Sequence, residues 1–249
     1  MKIALHAHVF YPELWPELAK CIRNFPPATT EVFLTFPDVL PDAFAQELNR
    51  TFPEANVRRL ENRGYDVGPF IDTLHHLDLD TYDLVVKLHT KRNRMAIVKY
   101  MPYWGAEWRR KLLGFCATEA AARRTLAIFE SDPKVGMVGH GDLIMHASDE
   151  LSIGAPSIPH DQDSYFVAGT MFAVRAKLLK PAVSELSFHA FPIMQDRTQS
   201  ELAWSWERKL GRMIEIQGYS IYGYPRESLF TKILSRINKT FYTIYDRFR

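Results

Sequence analysis

Four short apolar runs alternate with stretches whose apolar residues recur every three or four positions over the first 90 residues. That alternation constrains the fold more than any other feature. Residues 2–9 hold enough Ile, Leu and Val for a buried strand, 31–36 (EVFLTF) for a second and 82–88 (YDLVVKL) for a fourth, with 56–60 a weaker third. Between them, residues 12–25 put Trp15, Leu18, Ile22 and Phe25 on one helical face, with Pro12 and Pro16 confined to the first turn. Residues 41–52 direct Phe44 and Leu48 inward, and 67–77 place Val67, Phe70, Ile71 and Leu74 on one side. Parallel neighbours need crossover connections, so this order predicts an α/β domain: a mainly parallel central sheet flanked by helices.

The second half is less regular. Residues 104–115, 118–131, 176–186 and 200–210 have helical character, 135–138 and 165–174 (YFVAGTMFAV) read as strands, and 139–159 as a loop. No internal repeat or low-complexity linker separates the halves, so one sheet is expected to serve both. The last 24 residues differ: Phe230, Ile233, Leu234, Ile237, Phe241, Ile244, Tyr245 and Phe248 form an apolar helical stripe with Lys232, Arg236, Lys239 and Arg247 largely off it. Such a helix suits an anionic membrane interface, and equally suits docking on its own domain.

Composition excludes several classes. A formal charge of +2 is too small for a chain that coats nucleic acid, so no nucleic-acid partner is expected and an RNA-binding surface is a weak third option. Cys21 and Cys116, on separate predicted helices, exclude a disulfide scaffold or Cys-rich zinc site and point to a reducing compartment. The start MKIALHAHVFYP is too short and polar for a signal peptide, and no run of about 18 apolar residues offers a membrane span. A cytoplasmic location follows as the expectation.

Open parallel sheets bind ligands beyond the carboxyl ends of their strands. Here the first strand ends with His6 and His8, and the second with Thr35. The third runs into Asn62-Arg63-Gly64-Tyr65-Asp66, and the fourth ends in Lys87-Leu88-His89-Thr90-Lys91-Arg92. Asn62 and Gly64 tolerate positive φ and allow a tight turn; Asp66 can cap the following helix or accept hydrogen bonds from a ribose or base. Alternation puts Lys87, His89 and Lys91 on one face. A buried Lys needs a partner, which a bound diphosphate or an internal carboxylate (Asp66 or Asp83) equally supplies. Gly169 and Thr170, inside an apolar run, indicate close backbone approach by a ligand or by packing. Trp104 and Trp108, with neighbouring cations, are candidates to border a sugar or to form a core face. No metal-binding spacing occurs among the nine His, and no Walker loop or nucleophile elbow is present.

His8 with Tyr11, the run Asn62 to Phe70, the segment 82–91 ending Lys-Leu-His-Thr-Lys, and Phe166-Val167-Ala168-Gly169-Thr170-Met171-Phe172 occur here in order. Together with Glu207-Arg208 and the later Gly211, they resemble the rhamnan synthesis protein F family of bacterial polysaccharide glycosyltransferases, from about residue 8 to 211. The resemblance implies a single GT-A-like domain over residues 1–225 (nucleotide-binding half 1–95, acceptor half 96–225) followed by the basic amphipathic helix 226–249. It also implies a dTDP-rhamnose-type donor and a role in building a rhamnose-containing cell-wall or lipopolysaccharide chain; with a glycan or lipid-linked acceptor, the C-terminal helix would suit work at the cytoplasmic face of the inner membrane. By position, His6, His8, Asn62, Arg63, Gly64, Asp66, Lys87, His89, Lys91 and Arg92 would bind the donor, and Trp104, Gly169 and Thr170 would lie on the acceptor side. Many GT-A enzymes hold an Asp-any-Asp metal site where this chain has Lys87, His89 and Lys91; fixed cations there predict transfer with no cofactor and no metal. Of its own two such strings, Asp78/Asp80 precedes the fourth strand and reads as a turn, while Asp161/Asp163 is a candidate for acceptor-side chemistry. The general base is left among Asp161, Asp163, Asp196, Glu201 and Glu207, because Gln199 stands where the family often has Asp. A non-catalytic nucleotide- or glycan-binding module is the alternative.

Overall fold

The structure, a computed structural model, describes residues 1–92, 96–98, 101–147, 164–194, 200–226, 229–230, 233–234 and 236–240. The first half follows the expected alternation: β1 (Ile3–His8), α1 (Trp15–Arg23), β2 (Thr30–Pro37), α2 (Asp42–Thr51), β3 (Asn56–Leu60), α3 (Val67–His75) and β4 (Leu84–His89). A hairpin follows, β5 (Ala96–Val98) and β6 (Met101–Tyr103), and then α4 (Gly105–Leu112), α5 (Glu119–Ser131), β7 (Val135–Gly139) and β8 (Ile144–His146). The remainder is β9 (Tyr165–Val167), β10 (Phe172–Arg175), α6 (Lys180–Glu185), α7 (Glu201–Ile216) and β11 (Ser220–Gly223).

Seven strands form one sheet in the order β11-β7-β10-β4-β1-β2-β3. Only β10 runs antiparallel to its neighbours; the other pairings are parallel. The mainly parallel α/β architecture is therefore as expected. Leaving β1, the chain adds β2 and β3 on one side and then returns to β4 on the other, which makes the β1–β4 boundary a topological switch point.

Strand alternation divides the interior into two layers. Ile3, Leu5 and Ala7 of β1 and Leu84, Val86 and Leu88 of β4 face the layer built with α1 and α2, where the free thiols of Cys21 and Cys116 meet. Ala4 and Val85 face the layer of α3 and α7, with Val67, Phe70, Phe172, Trp206 and Leu210. His6, His8, Lys87 and His89 share parity with Ala4 and Val85. The sequence thus delivers a Lys and three imidazoles beneath α3 and α7 at the carboxyl edge of the sheet.

Four expectations are corrected. The run 165–174 is two strands, because Gly169 (φ +83°) and Thr170 (φ +53°) turn the chain between β9 and β10, and β9 pairs with β8 outside the main sheet. Trp104 precedes α4 and is 64% exposed, whereas Trp108 is buried and stacked on Tyr103, so they share no face. The segment 139–159 is not wholly loop, since β8 lies within it; residues 148–163, with Asp161 and Asp163, lie outside the described residues. Helix α7 also continues to Ile216, past the expected end. Gly211 lets it do so tight against β9: a Cβ there would lie 1.9 Å from the Tyr165 carbonyl oxygen. One turn earlier on the same face stands Glu207.

Candidate functional site

Register sets the floor of the site. His6 lies opposite Lys87 and His8 opposite His89, while Thr35 of β2 flanks His8 on its other side. All five are buried. The Lys87 ammonium has three donors and three acceptors: Asp66 Oδ2 at 2.5 Å, the Thr170 carbonyl at 3.0 Å and Thr170 Oγ1 at 3.0 Å. The Thr170 hydroxyl in turn donates to Asp66 Oδ2 at 2.5 Å, and the Phe70 ring lies beneath the ammonium. Of the two partners the sequence left open for Lys87, the chain supplies the internal carboxylate. Asp66 accordingly does not cap α3 with its side chain.

Electrostatics separates the two carboxylates of the crevice. Burial pushes the Asp66 pKa up, but His89, Lys87 and Lys91 together with the Lys87 hydrogen bond bring it well below the usual carboxylate range. His89 lies 3.5 Å from Asp66 Oδ2, yet burial holds its own pKa well below the ordinary value. With that imidazole neutral, the Lys87 ammonium keeps Asp66 ionised. For Lys87 itself burial lowers the pKa and Asp66 opposes it, and the three contacts are those of an ammonium. Glu207 behaves oppositely. Burial, helped by the Asp66 charge, raises its pKa to about 7 against the opposing Gly169 N–H, Lys91 and Lys87. Its Oε1 accepts from the Gly169 N–H at 2.5 Å. The neighbouring Arg208 is buried and donates to the Trp204 carbonyl.

Tyr65 (φ +56°) and Thr170 (φ +53°), on either side of the Asp66–Lys87 pair, are held in the left-handed region that non-glycine residues rarely occupy. At the rim, Thr90 Oγ1 accepts from the Phe10 and Tyr11 amides at 3.0 Å each, tying the end of β4 to the chain leaving β1. Lys91 is half-buried beside this group, and exposed Arg92 lies over the Tyr11 ring with Glu13 at 3.7 Å.

Other expected site residues serve the fold. Asn62 Nδ2 donates to the Met194 carbonyl at 3.1 Å, and Arg63 donates to the Phe191 carbonyl at 2.8 Å and to Glu61 at 2.6 Å. At Gly64 an added Cβ would come within 2.5 Å of the Phe191 ring. These three residues seat the segment 191–194. Glu201 is exposed on another face of α7 from Glu207, and Asp196 lies outside the described residues. Asp78 and Asp80 form the expected turn at the opposite sheet edge, with Asp80 paired to Lys180 at 2.6 Å. From the sequence Thr35 shows only as a strand end. Its parity with Phe33, on the α3 side of β2, was the available signal. Among the described residues no three His, Cys, Asp or Glu side chains gather as a metal site. The Lys87 ammonium, at the end of β4, places positive charge where a divalent cation would have to sit.

Fold and site together define an α/β protein with a buried polar cluster at the β1–β4 switch point, in which Lys87 holds Asp66 ionised and burial raises the Glu207 pKa to about 7. The family model of rhamnan synthesis protein F matches residues 1–148, and the chain belongs to that family. It is 27% identical over 179 residues to the uncharacterized protein WxcX of Xanthomonas campestris pv. campestris (strain B100), covering 68% of this chain and 25% of that protein. WxcX of strain ATCC 33913 matches with the same identity and coverage. The chain therefore spans about a quarter of the length of these curated relatives. Among solved structures, S. aureus TarS is similar over 90% of this chain and 35% of its own, with a TM-score of 0.52 and 12% identity. At that identity the likeness is one of fold.

Proposed function

We propose that this chain is an inverting glycosyltransferase that moves a sugar, rhamnose from dTDP-rhamnose, from a nucleotide donor to a glycan or lipid-linked acceptor in cell-surface polysaccharide synthesis. Membership of the rhamnan synthesis protein F family supports the substrate class. What supports the mechanism is the placing of two carboxylates around the Gly169–Thr170 turn. Asp66 is bound by Lys87 and the Thr170 hydroxyl; among the described residues Glu207 accepts only from the Gly169 N–H, and burial raises its pKa to about 7. Glu207 is the general base: its carboxylate takes the proton of the acceptor hydroxyl as that oxygen bonds to the sugar's anomeric carbon. The bond from that carbon to the diphosphate breaks, and its electron pair leaves on the phosphate oxygen. Lys91 and Arg92 meet the departing charge, since Lys87 is committed to Asp66 and Thr170, and His89 is neutral. The Asp66–Lys87–Thr170 unit holds the Gly169 turn on which Glu207 is aimed, and exposed Trp104 offers an aromatic face to the acceptor.

Transfer without a metal is part of this reading. Calorimetric titration with dTDP, UDP and GDP is expected to show saturable binding of one nucleotide, unchanged by EDTA and weakened severalfold or more in Lys91→Ala. Binding that requires Mg²⁺ or Mn²⁺ would overturn the metal-free reading and turn attention to Asp161 and Asp163. If no nucleotide binds, the chain is a glycan-binding module.

The domain is proposed to comprise residues 1–225, with a donor half (1–95) and an acceptor half (96–225), and residues 226–249 to be a peripheral anchor at the inner membrane. Leu229, Phe230, Ile233 and Ile237 are exposed, while Asn238, half-buried, contacts Met101 Sδ at 3.5 Å. Six Lys or Arg against two acidic residues fall in the last 24 positions, so the rest of the chain is net acidic. No described helix is long and apolar enough to cross a membrane. An apolar strip with cations concentrated around it matches an anionic bilayer surface. Co-sedimentation with phosphatidylglycerol-containing vesicles is expected, falling with salt and lost in Ile233→Asp/Ile237→Asp. Equal recovery with neutral phosphatidylcholine vesicles, or none with either, would reject the anchor.

A further inference from the structure

Thr90 clasps the chain leaving β1 by three bonds. Its N–H donates to the His8 carbonyl at 3.0 Å, and its buried Oγ1 accepts from the Phe10 and Tyr11 amides at 3.0 Å each. Pro12 has no N–H, so positions 10, 11 and 12 offer an arriving diphosphate no free amide. What the clasp does fix is an aromatic platform. Tyr11 is held further by the Leu14 N–H, which donates to its carbonyl at 3.0 Å, and by the Phe10 ring, edge-on at 4.9 Å. The Arg92 guanidinium lies over the Tyr11 ring, 4.4 Å from its centre. Glu13 Oε1 is 3.7 Å from Arg92 Nε, beyond hydrogen-bond reach, and the two side chains are 59% and 60% exposed. Glu13 therefore balances the charge of Arg92 without taking any of its N–H groups, and among the described residues nothing else accepts from them.

We infer that Thr90 and Tyr11 are positioning residues: Thr90 fixes the Tyr11 ring, the ring holds the Arg92 guanidinium ready for the donor's diphosphate, and Glu13 is the counter-ion which that diphosphate displaces. This rests on the nucleotide-sugar reading above. An exposed Arg otherwise spreads over many rotamers, and ordering it on binding costs affinity. With one face on the ring, the guanidinium still presents its N–H edge, which pairs two phosphate oxygens at once. The ring acts on the cation through its π face and needs no contact with the donor. A carboxylate beside the same cation repels an arriving phosphate, so Glu13 opposes binding until it swings away.

Titrations with dTDP, UDP, GDP and inorganic pyrophosphate test this, the nucleotide that the wild type prefers being carried through the variants. Tyr11→Leu is expected to weaken nucleotide and pyrophosphate about threefold or more, and Tyr11→Phe, which keeps the ring face, to stay within about twofold of wild type. In an Arg92→Met background Tyr11→Leu should cost nothing further, because the ring acts only through Arg92. Glu13→Gln should tighten both ligands by about two- to fivefold, the upper worth of an exposed ion pair. Thr90→Val leaves two amides without their acceptor and should weaken both ligands about tenfold or more, with Thr90→Ser recovering most of the loss. Tyr11 is half-buried and Glu13 exposed, so their variants decide the matter if Thr90→Val does not fold. Additive losses in Tyr11→Leu/Arg92→Met would mean that the ring meets the donor itself, and unchanged or weaker binding in Glu13→Gln that no carboxylate is displaced; either result overturns the inference. Nucleotide binding that Arg92→Met leaves unchanged would overturn it too, while the transferase reading stands. Failure of the folded wild type to bind any nucleotide would overturn both.

Discussion

Glu207→Gln is expected to lower the rate of sugar transfer by roughly 10²–10⁴-fold, the span general-base catalysis supplies, with donor affinity within about twofold of wild type. The amide keeps an oxygen to accept from the Gly169 N–H but cannot take a proton. The pH profile makes the test specific. A base works as its carboxylate, so with a pKa of about 7 the wild-type rate should rise with pH through neutrality and level off above it; in Glu207→Gln that rise should vanish. Stability moves the other way. The folded pKa lies above the ordinary 4.5, so ionisation as pH rises between those values weighs against folding. The variant should therefore melt at or above the wild-type temperature at pH 8, which separates a chemical defect from a structural one.

Lys87→Met should produce the largest loss of stability. It strips the buried Asp66 carboxylate of its ammonium and leaves Thr170, already at positive φ, with two contacts fewer. Removing one member of a buried pair costs about 3–5 kcal/mol. At roughly 2–4 °C per kcal/mol for a chain of this size, the melting temperature should fall by about 6–20 °C. Adding Asp66→Asn removes the stranded charge, so the double variant should be more stable than Lys87→Met alone, a coupling that urea unfolding resolves. In the wild type the folded Asp66 pKa is depressed. Its contribution is therefore present above the ordinary value of 3.8 and is lost as pH falls through the folded one. Without Lys87, burial raises the Asp66 pKa and acid relieves the unpaired charge. The gap between wild type and Lys87→Met should narrow as pH falls.

The first half of the fold was legible because its signals are local. Alternating apolar residues and the 3.6-residue faces place β1 through β4 within two residues of their positions, and β3 at its bounds. Where tertiary contact decides, the reading ran out. Nothing local in YFVAGTMFAV says that Gly169 and Thr170 turn the chain, since that depends on α7 approaching β9 at Gly211. The hairpin β5–β6 and the edge strand β11 are too short to show a period. At the site, alternation put the right residues on one face, and the Lys87 ambiguity was real because Asp66 arrives from the start of another helix. That Asn62, Arg63 and Gly64 also seat Phe191 and Met194 was hidden for the same reason: those partners are more than 120 residues away in sequence. Glu207 could be named as one of five carboxylates. Only burial under the Gly169 turn distinguishes it from Glu201.

Release of nucleoside diphosphate from dTDP-rhamnose by the purified chain, in EDTA and without acceptor, tests the central claim most directly. A transferase whose base sits in the donor crevice should hydrolyse its donor slowly but above the blank, faster as pH rises through 7, and not at all in Glu207→Gln. Tight nucleotide binding with no release from this or any UDP- or GDP-linked donor, at any pH, would contradict it and identify a binding module instead.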